Sequence, residues 1–209
     1  MNIQEQIAKI RLVPVVVLED AKDAVPLAKA LIAGGLPVAE VTFRTDAAEE
    51  SIRLMSEHCP EMLVGAGTVI TVAQAEAAVA AGAKFIVTAG FSEDVTRWAV
   101  SHDVPIFPGV CTPTEIMMAL RYDLKIVKFF PAAQYGGLKT IKALAGPFPK
   151  LKFMPTGGVS AANVQEYLAD PHIIACGGSW MVKGDLVKSG NFEEITRLTA
   201  EAMALVKAV

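Results

Sequence analysis

The stretch Ile126-Val-Lys-Phe-Phe-Pro131 is apolar except for one lysine near its centre, and it ends at a proline. Short apolar runs of this kind, about four to eight residues long, are typical of parallel strands that are covered on both faces. Eight such runs follow one another along the chain. They occupy residues 13–18, 38–43, 63–66, 85–88, 105–108, 126–130, 152–155 and 173–176.

Amphipathic patterns with helical spacing fill the segments between these runs. The clearest ones occupy residues 21–33, 47–58, 72–81 and 192–207. Ser92 and Thr112 have the features of residues that begin helices, because hydroxyls at such positions accept a hydrogen bond from the first turn.

Two architectures alternate strands with helices in this way, the closed (β/α)8 barrel and the open, doubly wound sheet. An open sheet that binds dinucleotides carries a glycine-rich turn after its first strand. Residues 19–23 follow the first run here and contain no glycine. The count of eight runs, with glycine pairs after the last two, favours the barrel. We therefore predict an α/β protein with the (β/α)8 TIM-barrel fold, as a single domain over residues 1–209.

Composition restricts the partners and the compartment. The 209 residues are 53% hydrophobic, with a mean hydropathy of +0.42, yet no apolar run reaches the roughly 18 residues that predict a membrane helix. The N-terminus lacks the apolar core of a signal peptide, and a net charge of −3 disfavours nucleic acid as a partner. Three scattered cysteines predict reduced thiols and a cytoplasmic location. Histidines and carboxylates show no metal-binding spacing, so we predict no metal site.

The second run carries charges where a core is expected. Strand alternation puts Glu40, Thr42 and Arg44 on one face, opposite apolar residues that would contact the helices. The polar face would then point into the barrel. Burying an acid and an arginine is costly unless they are paired or used chemically. A structural Glu40–Arg44 ion pair therefore competes with a functional site.

Lys128 is a second charge in an apolar run, on the same strand face as Ile126 and Phe130. Lysine is rarely buried unless it is paired. Burial favours the neutral amine, which is the form that condenses with a ketone. The pattern alone leaves two interpretations open: a Schiff-base lysine, or a structural ion pair with Glu40.

Other residues supply what Schiff-base chemistry on a keto acid requires. Glu40 can act as the general acid and base. Arg44 can bind a carboxylate with two hydrogen bonds. Thr68 adds a hydroxyl after the small residues of the third run, which are expected to let a ligand approach the backbone. Barrels commonly bind phosphate through the loops after strands seven and eight. Hydroxyls and glycine pairs are predicted there, at Thr156, Gly157, Gly158, Gly177, Gly178 and Ser179. These glycines could also serve only as tight turns.

Six segments together resemble the family of 2-keto-3-deoxy-6-phosphogluconate (KDPG) and 4-hydroxy-2-oxoglutarate (KHG) aldolases. They are Glu40-Val-Thr-Phe-Arg-Thr45, Val64-Gly-Ala-Gly-Thr-Val69, Val127-Lys-Phe-Phe-Pro-Ala132, Ala145-Gly-Pro-Phe148, Pro155-Thr-Gly-Gly158 and Gly177-Gly-Ser-Trp180. The resemblance covers nearly the whole chain. It implies a (β/α)8 barrel that works without a cofactor, usually as a homotrimer, and that cleaves KDPG to pyruvate and glyceraldehyde 3-phosphate.

The resemblance also implies individual roles. Lys128 matches the Schiff-base lysine and Glu40 the proton-transfer residue. Arg44 and Thr68 match the contacts to the pyruvate carboxylate, and Phe130 matches a ring packed near the lysine. The hydroxyls and glycines after the last two runs match the residues at the phosphate end. The ending Gly-Gly-Ser-Trp resembles the phosphogluconate branch more than the phosphogalactonate branch.

Two departures from the family pattern stand out. Many relatives have Ser-Pro-Gly where this chain has Thr88-Ala89-Gly90, and Ala89 is expected to loosen the pocket or shift its acceptor selectivity. Many have Pro-Ala-Glu where this chain has Pro131-Ala132-Ala133, a change with less consequence for the chemistry. Two other functions compete with the aldolase: a phosphosugar isomerase or epimerase, which needs no lysine within a strand, and a barrel that only binds a phosphorylated metabolite.

Overall fold

The computed structural model describes residues 1–209. Nine strands form its central wall: β1 Leu12–Val16, β2 Val38–Thr42, β3 Leu63–Gly67, β4 Ile86–Val87, β5 Ile106–Phe107, β6 Gly109–Val110, β7 Ile126–Phe129, β8 Lys152–Pro155 and β9 Cys176–Gly178. Ten α-helices accompany them: α1 Ile3–Ile10, α2 Ala24–Ala33, α3 Ala48–His58, α4 Val72–Ala80, α5 Glu93–Ser101, α6 Pro113–Leu120, α7 Gly137–Ala145, α8 Val164–Leu168, α9 Gly184–Lys188 and α10 Phe192–Lys207.

The strands form a closed ring. All paired strands are parallel, and they form a six-stranded sheet, β5-β4-β3-β2-β1-β9, and a three-stranded sheet, β6-β7-β8. Two single bridges, from Phe153 to Ile173 and from Thr156 to Gly177, join β8 to the segment that ends in β9. At the other junction, β5 and β6 together occupy one of the eight strand positions of the barrel, which we call staves, because only Pro108 separates them. The predicted (β/α)8 barrel is confirmed, with eight staves built from nine strands.

The fifth stave differs from its predicted course over residues 105–108. Pro108 has no N–H to donate to a neighbouring strand, so the stave is interrupted and resumes at Gly109. The buried Thr88 hydroxyl bridges this interruption. It accepts a hydrogen bond from the Gly109 N–H at 3.1 Å and donates one to the Gly90 carbonyl at 2.6 Å. A side chain therefore completes the wall where the backbone ladder is broken.

Replacing Thr88 with valine is expected to lower the free energy of unfolding by about 1–3 kcal/mol, because it leaves the buried Gly109 N–H without an acceptor. Thr88→Ser keeps the hydroxyl and should lose much less. Urea unfolding of the three proteins measures the difference. A valine variant that matched the unsubstituted protein would contradict the role given to this hydroxyl.

The eighth stave is also displaced from its prediction. Residues 173–176 were expected as the strand, with Gly177 and Gly178 in the loop beyond it. Both glycines instead belong to β9 and pair with Val13 and Pro14 of β1. Glycine has a low strand propensity, so a strand that ends in two glycines reads as a loop. The prediction that these two residues lie in a loop is wrong.

The helices enclose the barrel, and one hydrophobic cluster of 61 buried residues fills it and the layer beneath the helices. The helix predicted over residues 21–33 begins with a 3-10 turn, Ala21–Asp23, before α2. Pro26 lacks the N–H that a regular helix from residue 21 would use, so it lies in the first turn of α2 instead. The closing helix α10 packs on α2, and the Thr196 hydroxyl donates to the Ala30 carbonyl at 3.2 Å. None of the helices has both the length and the apolar composition needed to cross a membrane.

Candidate active site

A cavity of about 670 Å³ opens at the carboxyl ends of the strands, which is where barrels of this type place their active sites. Eight of the residues that the sequence predicted for the site line it: Arg44, Phe130, Thr156, Gly157, Gly158, Gly177, Gly178 and Ser179. The structure thus brings together residues from the ends of β2, β7, β8 and β9, which are far apart in the chain.

Lys128 and Glu40 lie next to this cavity but do not line it. Lys128 is on β7 and Glu40 on β2, and both are buried. The Lys128 Nζ donates a hydrogen bond to Glu40 Oε1 at 3.2 Å. Phe130 connects the pair to the cavity, because it lines the cavity and its ring centroid lies 5.1 Å from Nζ. A buried amine, a carboxylate and an open cavity therefore lie side by side.

The glycines of β3 make room for this arrangement. A methyl group at Gly67 would overlap the Glu40 carboxylate, and one at Gly65 would overlap the Phe85 ring. The sequence interpretation, that small residues here let a ligand approach the backbone, therefore needs correction. At Gly65 and Gly67 the space is filled by the protein's own side chains. The other carboxylate oxygen, Glu40 Oε2, is buried and has no hydrogen-bond partner, so it can accept a proton or a hydrogen bond.

Arg44 differs from its predicted place in the strand. β2 ends at Thr42, and Arg44 lies in the turn beyond it, exposed to solvent at the cavity. Glu40 pairs with Lys128 instead of Arg44, so the predicted alternative of a Glu40–Arg44 ion pair is wrong. The ion pair with Lys128 was the other structural alternative, and the geometry is compatible with it as well as with catalysis.

Thr68 follows β3 directly, outside the residues that line the cavity. Its φ of 54° is in the left-handed region, which β-branched residues rarely adopt. Thr68 is half-buried. Strain of this kind is most often found at functional sites, where the rest of the fold holds it in place.

Glycine is required at the two glycine pairs for different physical reasons. Gly157 and Gly158 adopt φ values of 94° and 78°, so the turn after β8 needs glycine for its backbone conformation. Gly177 and Gly178 are ordinary strand residues by conformation. A methyl group at Gly177 would overlap the Thr156 hydroxyl, and one at Gly178 would overlap the Trp180 ring. The second pair is therefore required by close packing at the wall of the cavity.

Seven lining residues were not predicted from the sequence: Val15, Val17, Val159, Trp180, Val182, Lys183 and Gly184. Val15 could have been inferred, because it is the register partner of Glu40 on the neighbouring strand. Trp180 belongs to one of the family-matching segments but was given no role, and residues 181–184 carried no pattern that indicates a site. They reach the cavity because they directly follow β9 at its carboxyl end.

The three cysteines are free, and Cys59 and Cys176 are buried. Cys176 directly precedes Gly177 in the wall of the cavity. Burial nevertheless raises the pKa of its thiol to about 12, so the thiol stays protonated. Burial also raises the pKa of Cys111, and the charge of Glu115 adds to the effect. Thiols that stay protonated are poor nucleophiles. The structure contains no group of three metal-ligating side chains.

Comparison with known proteins identifies the family to which the chain is similar. The family model described as "KDPG and KHG aldolase" matches residues 3–198. A Treponema pallidum 2-dehydro-3-deoxy-phosphogluconate aldolase is 46% identical over 206 residues, which is 99% of this chain and 98% of that protein.

Two solved structures have a TM-score of 0.91 with this chain. One is the KDPG aldolase of Zymomonas mobilis with 3-phosphoglycerate, at 38% identity, and the match covers 97% of this chain and 96% of that one. The other is the KDPG aldolase of Legionella pneumophila with pyruvate captured as a covalent carbinolamine, at 41% identity and covering 94% and 96%. The chain described above belongs to the KDPG and KHG aldolase family.

Proposed function

We propose that this protein is a class I aldolase, a carbon–carbon lyase that cleaves KDPG to pyruvate and D-glyceraldehyde 3-phosphate. It also cleaves 4-hydroxy-2-oxoglutarate to pyruvate and glyoxylate. The observation that carries the proposal is the buried Lys128 amine, 3.2 Å from the Glu40 carboxylate and beside an open cavity. A phosphosugar isomerase or epimerase has no use for such an amine.

The reaction begins with imine formation. The Lys128 amine attacks the C2 ketone and forms a carbinolamine. Glu40 then donates the proton with which the hydroxyl leaves as water, and the protonated imine remains. The unpartnered Glu40 Oε2 supports this role, because it leaves one oxygen free for proton transfer.

Cleavage uses the imine as an electron sink. Glu40, directly or through a water molecule, accepts the proton of the C4 hydroxyl, and the C3–C4 bond breaks. The electron pair of that bond moves into the imine and forms an enamine, while C4 leaves as the aldehyde. Protonation of the enamine at C3 and hydrolysis of the resulting imine release pyruvate and restore Lys128.

Two groups of residues bind the two ends of the substrate, on either side of the reacting carbons. Arg44 and the Thr68 hydroxyl bind the carboxylate, and Phe130 packs against the carbon chain near Lys128. The phosphate end consists of Thr156, Gly157, Gly158, Gly177, Gly178 and Ser179, which offer hydroxyls and backbone N–H groups. Holding both ends fixes C3 and C4 relative to the imine, and positioning of this kind can lower a barrier by several kcal/mol.

Borohydride trapping tests the proposal. Incubation with pyruvate and sodium borohydride, followed by peptide mass mapping, should find the reduced adduct on Lys128. An unlabelled protein would overturn the aldolase function, and a label on another lysine would overturn the role of Lys128. An isomerase, an epimerase and a passive phosphate-binding barrel would all remain unlabelled.

The proposal extends to assembly and location. Residues 1–209 act as one catalytic domain, and the active form is a homotrimer in the cytoplasm. The free state of all three cysteines supports a reducing compartment. Light scattering coupled to size-exclusion chromatography tests the trimer, with an expected mass of three times the 22.1 kDa chain.

A further inference from the structure

Two cations line the cavity, Arg44 and Lys183, and no carboxylate does. Arg44 follows β2, whereas Lys183 lies in the segment after β9, next to the wall formed by Gly177 and Gly178. The mechanism above uses Arg44 for the substrate carboxylate and gives no task to Lys183. The phosphate end is otherwise lined by neutral donors, so Lys183 is the one full positive charge there.

The main chain of Lys183 is fixed while its side chain is free. Its carbonyl accepts hydrogen bonds from the N–H groups of Leu186 and Val187, at 3.1 and 3.2 Å. Its ammonium forms no ion pair. The acidic residue whose pKa it affects is Glu194. Arg197 already holds the Glu194 carboxylate with two hydrogen bonds of 2.7 and 2.6 Å. Hydrogen bonding by Arg197 lowers the pKa of Glu194, and the charge of Lys183 contributes in the same direction.

We infer that Lys183 binds the distal phosphate and selects phosphorylated substrates over the same keto acids without phosphate. A phosphate carries nearly two negative charges at neutral pH, which neutral N–H and O–H donors solvate but do not neutralise. A lysine on a flexible stem supplies a compact charge that can follow the phosphate as it binds. The inference rests on the proposed function, because it concerns the far end of the same substrate.

A pair of substrates that differ only in the phosphate tests this inference. Lys183→Met is expected to lower kcat/KM for KDPG about tenfold, the scale of one charge-assisted contact that is partly exposed to water. It should leave kcat/KM for unphosphorylated 2-keto-3-deoxygluconate within twofold. Lys183→Arg should restore most of the KDPG activity. Added salt should lower kcat/KM for KDPG more in the unsubstituted protein than in Lys183→Met.

Lys188→Met is the matched control. Lys188 is also exposed and lies at the other end of α9, but it lines a neighbouring depression with Glu19, Asp23 and Asp185 instead of the cavity. This variant should behave like the unsubstituted protein with both substrates. An equal loss for both substrates in Lys183→Met would show a structural role and overturn the inference, as would an unchanged KDPG activity.

Two further measurements separate this inference from the proposed function. Pyruvate labelling of Lys128 should be normal in Lys183→Met, since pyruvate carries no phosphate. Titration of inorganic phosphate by calorimetry should give a Kd several times higher for Lys183→Met than for the unsubstituted protein. Missing label in the unsubstituted protein would overturn the aldolase function and, with it, the substrate selection by Lys183, whereas equal phosphate affinities would overturn the role of Lys183 alone.

Discussion

Replacing Lys128 with methionine is expected to abolish pyruvate labelling and to lower kcat/KM for KDPG by a factor on the order of 10⁴ or more, because the covalent route is lost. Methionine has a similar length, so the barrel keeps its packing. Lys152→Met is the control: Lys152 is also a strand lysine, but its ammonium donates to the Pro171 carbonyl at 2.7 Å, away from the cavity. Cleavage at more than about a hundredth of the normal rate by Lys128→Met would contradict the imine mechanism.

The same substitution is expected to destabilise the fold. It removes the partner of a fully buried carboxylate whose second oxygen already lacks one. Breaking a buried ion pair from one side costs about 3–5 kcal/mol. The double variant Lys128→Met/Glu40→Leu removes both charges and should recover most of that loss. Urea unfolding of the single and double variants measures both effects, and equal stability of the two would contradict the argument.

Glu40→Gln is expected to lower kcat by about 10²- to 10⁴-fold, the usual range for loss of a general acid and base. The amide keeps the size of the carboxylate and can still accept a hydrogen bond from Lys128, but it cannot exchange a proton with the substrate. Pyruvate should still label Lys128, more slowly than in the unsubstituted protein. This outcome separates Glu40 from Lys128, whose loss removes the label altogether.

Rapid-quench measurements distinguish the two contributions of Glu40. If it serves only as the counter-ion of Lys128, Glu40→Gln should change the rate of label formation and leave the later steps unaffected. If it moves protons throughout, both label formation and aldehyde release slow down. A kcat within threefold of the normal value would rule out the second role.

The barrel was predictable because its strands are covered on both faces, so they appear as short apolar runs at regular intervals. The two interior charges were predictable for the same reason, since each interrupts such a run. Their partnership was not: Glu40 and Lys128 are 88 residues apart, and alternation within one strand does not determine which other strand it faces. The sequence therefore left Arg44 and Lys128 as alternative partners of Glu40.

The remaining differences arise from local chemistry that only the assembled wall reveals. Pro108 interrupts a stave, and a threonine hydroxyl from the neighbouring stave replaces the missing backbone contact. Gly177 and Gly178 resemble loop residues, yet β1 pairs with them as a strand. Trp180 and Lys183 lack any periodic pattern, and they reach the cavity because they follow β9 at its carboxyl end.

The contacts of Gly177 with Thr156, and of Gly178 with Trp180, limit how a lineage with this barrel can change its substrate. Neither glycine can acquire a side chain unless the residue opposite it shifts or becomes smaller as well. New acceptor preferences are therefore more accessible through Lys183, which is exposed at the cavity beyond β9. Substitutions in β9 are therefore constrained by packing, whereas substitutions in the segment after β9 can change the substrate preference.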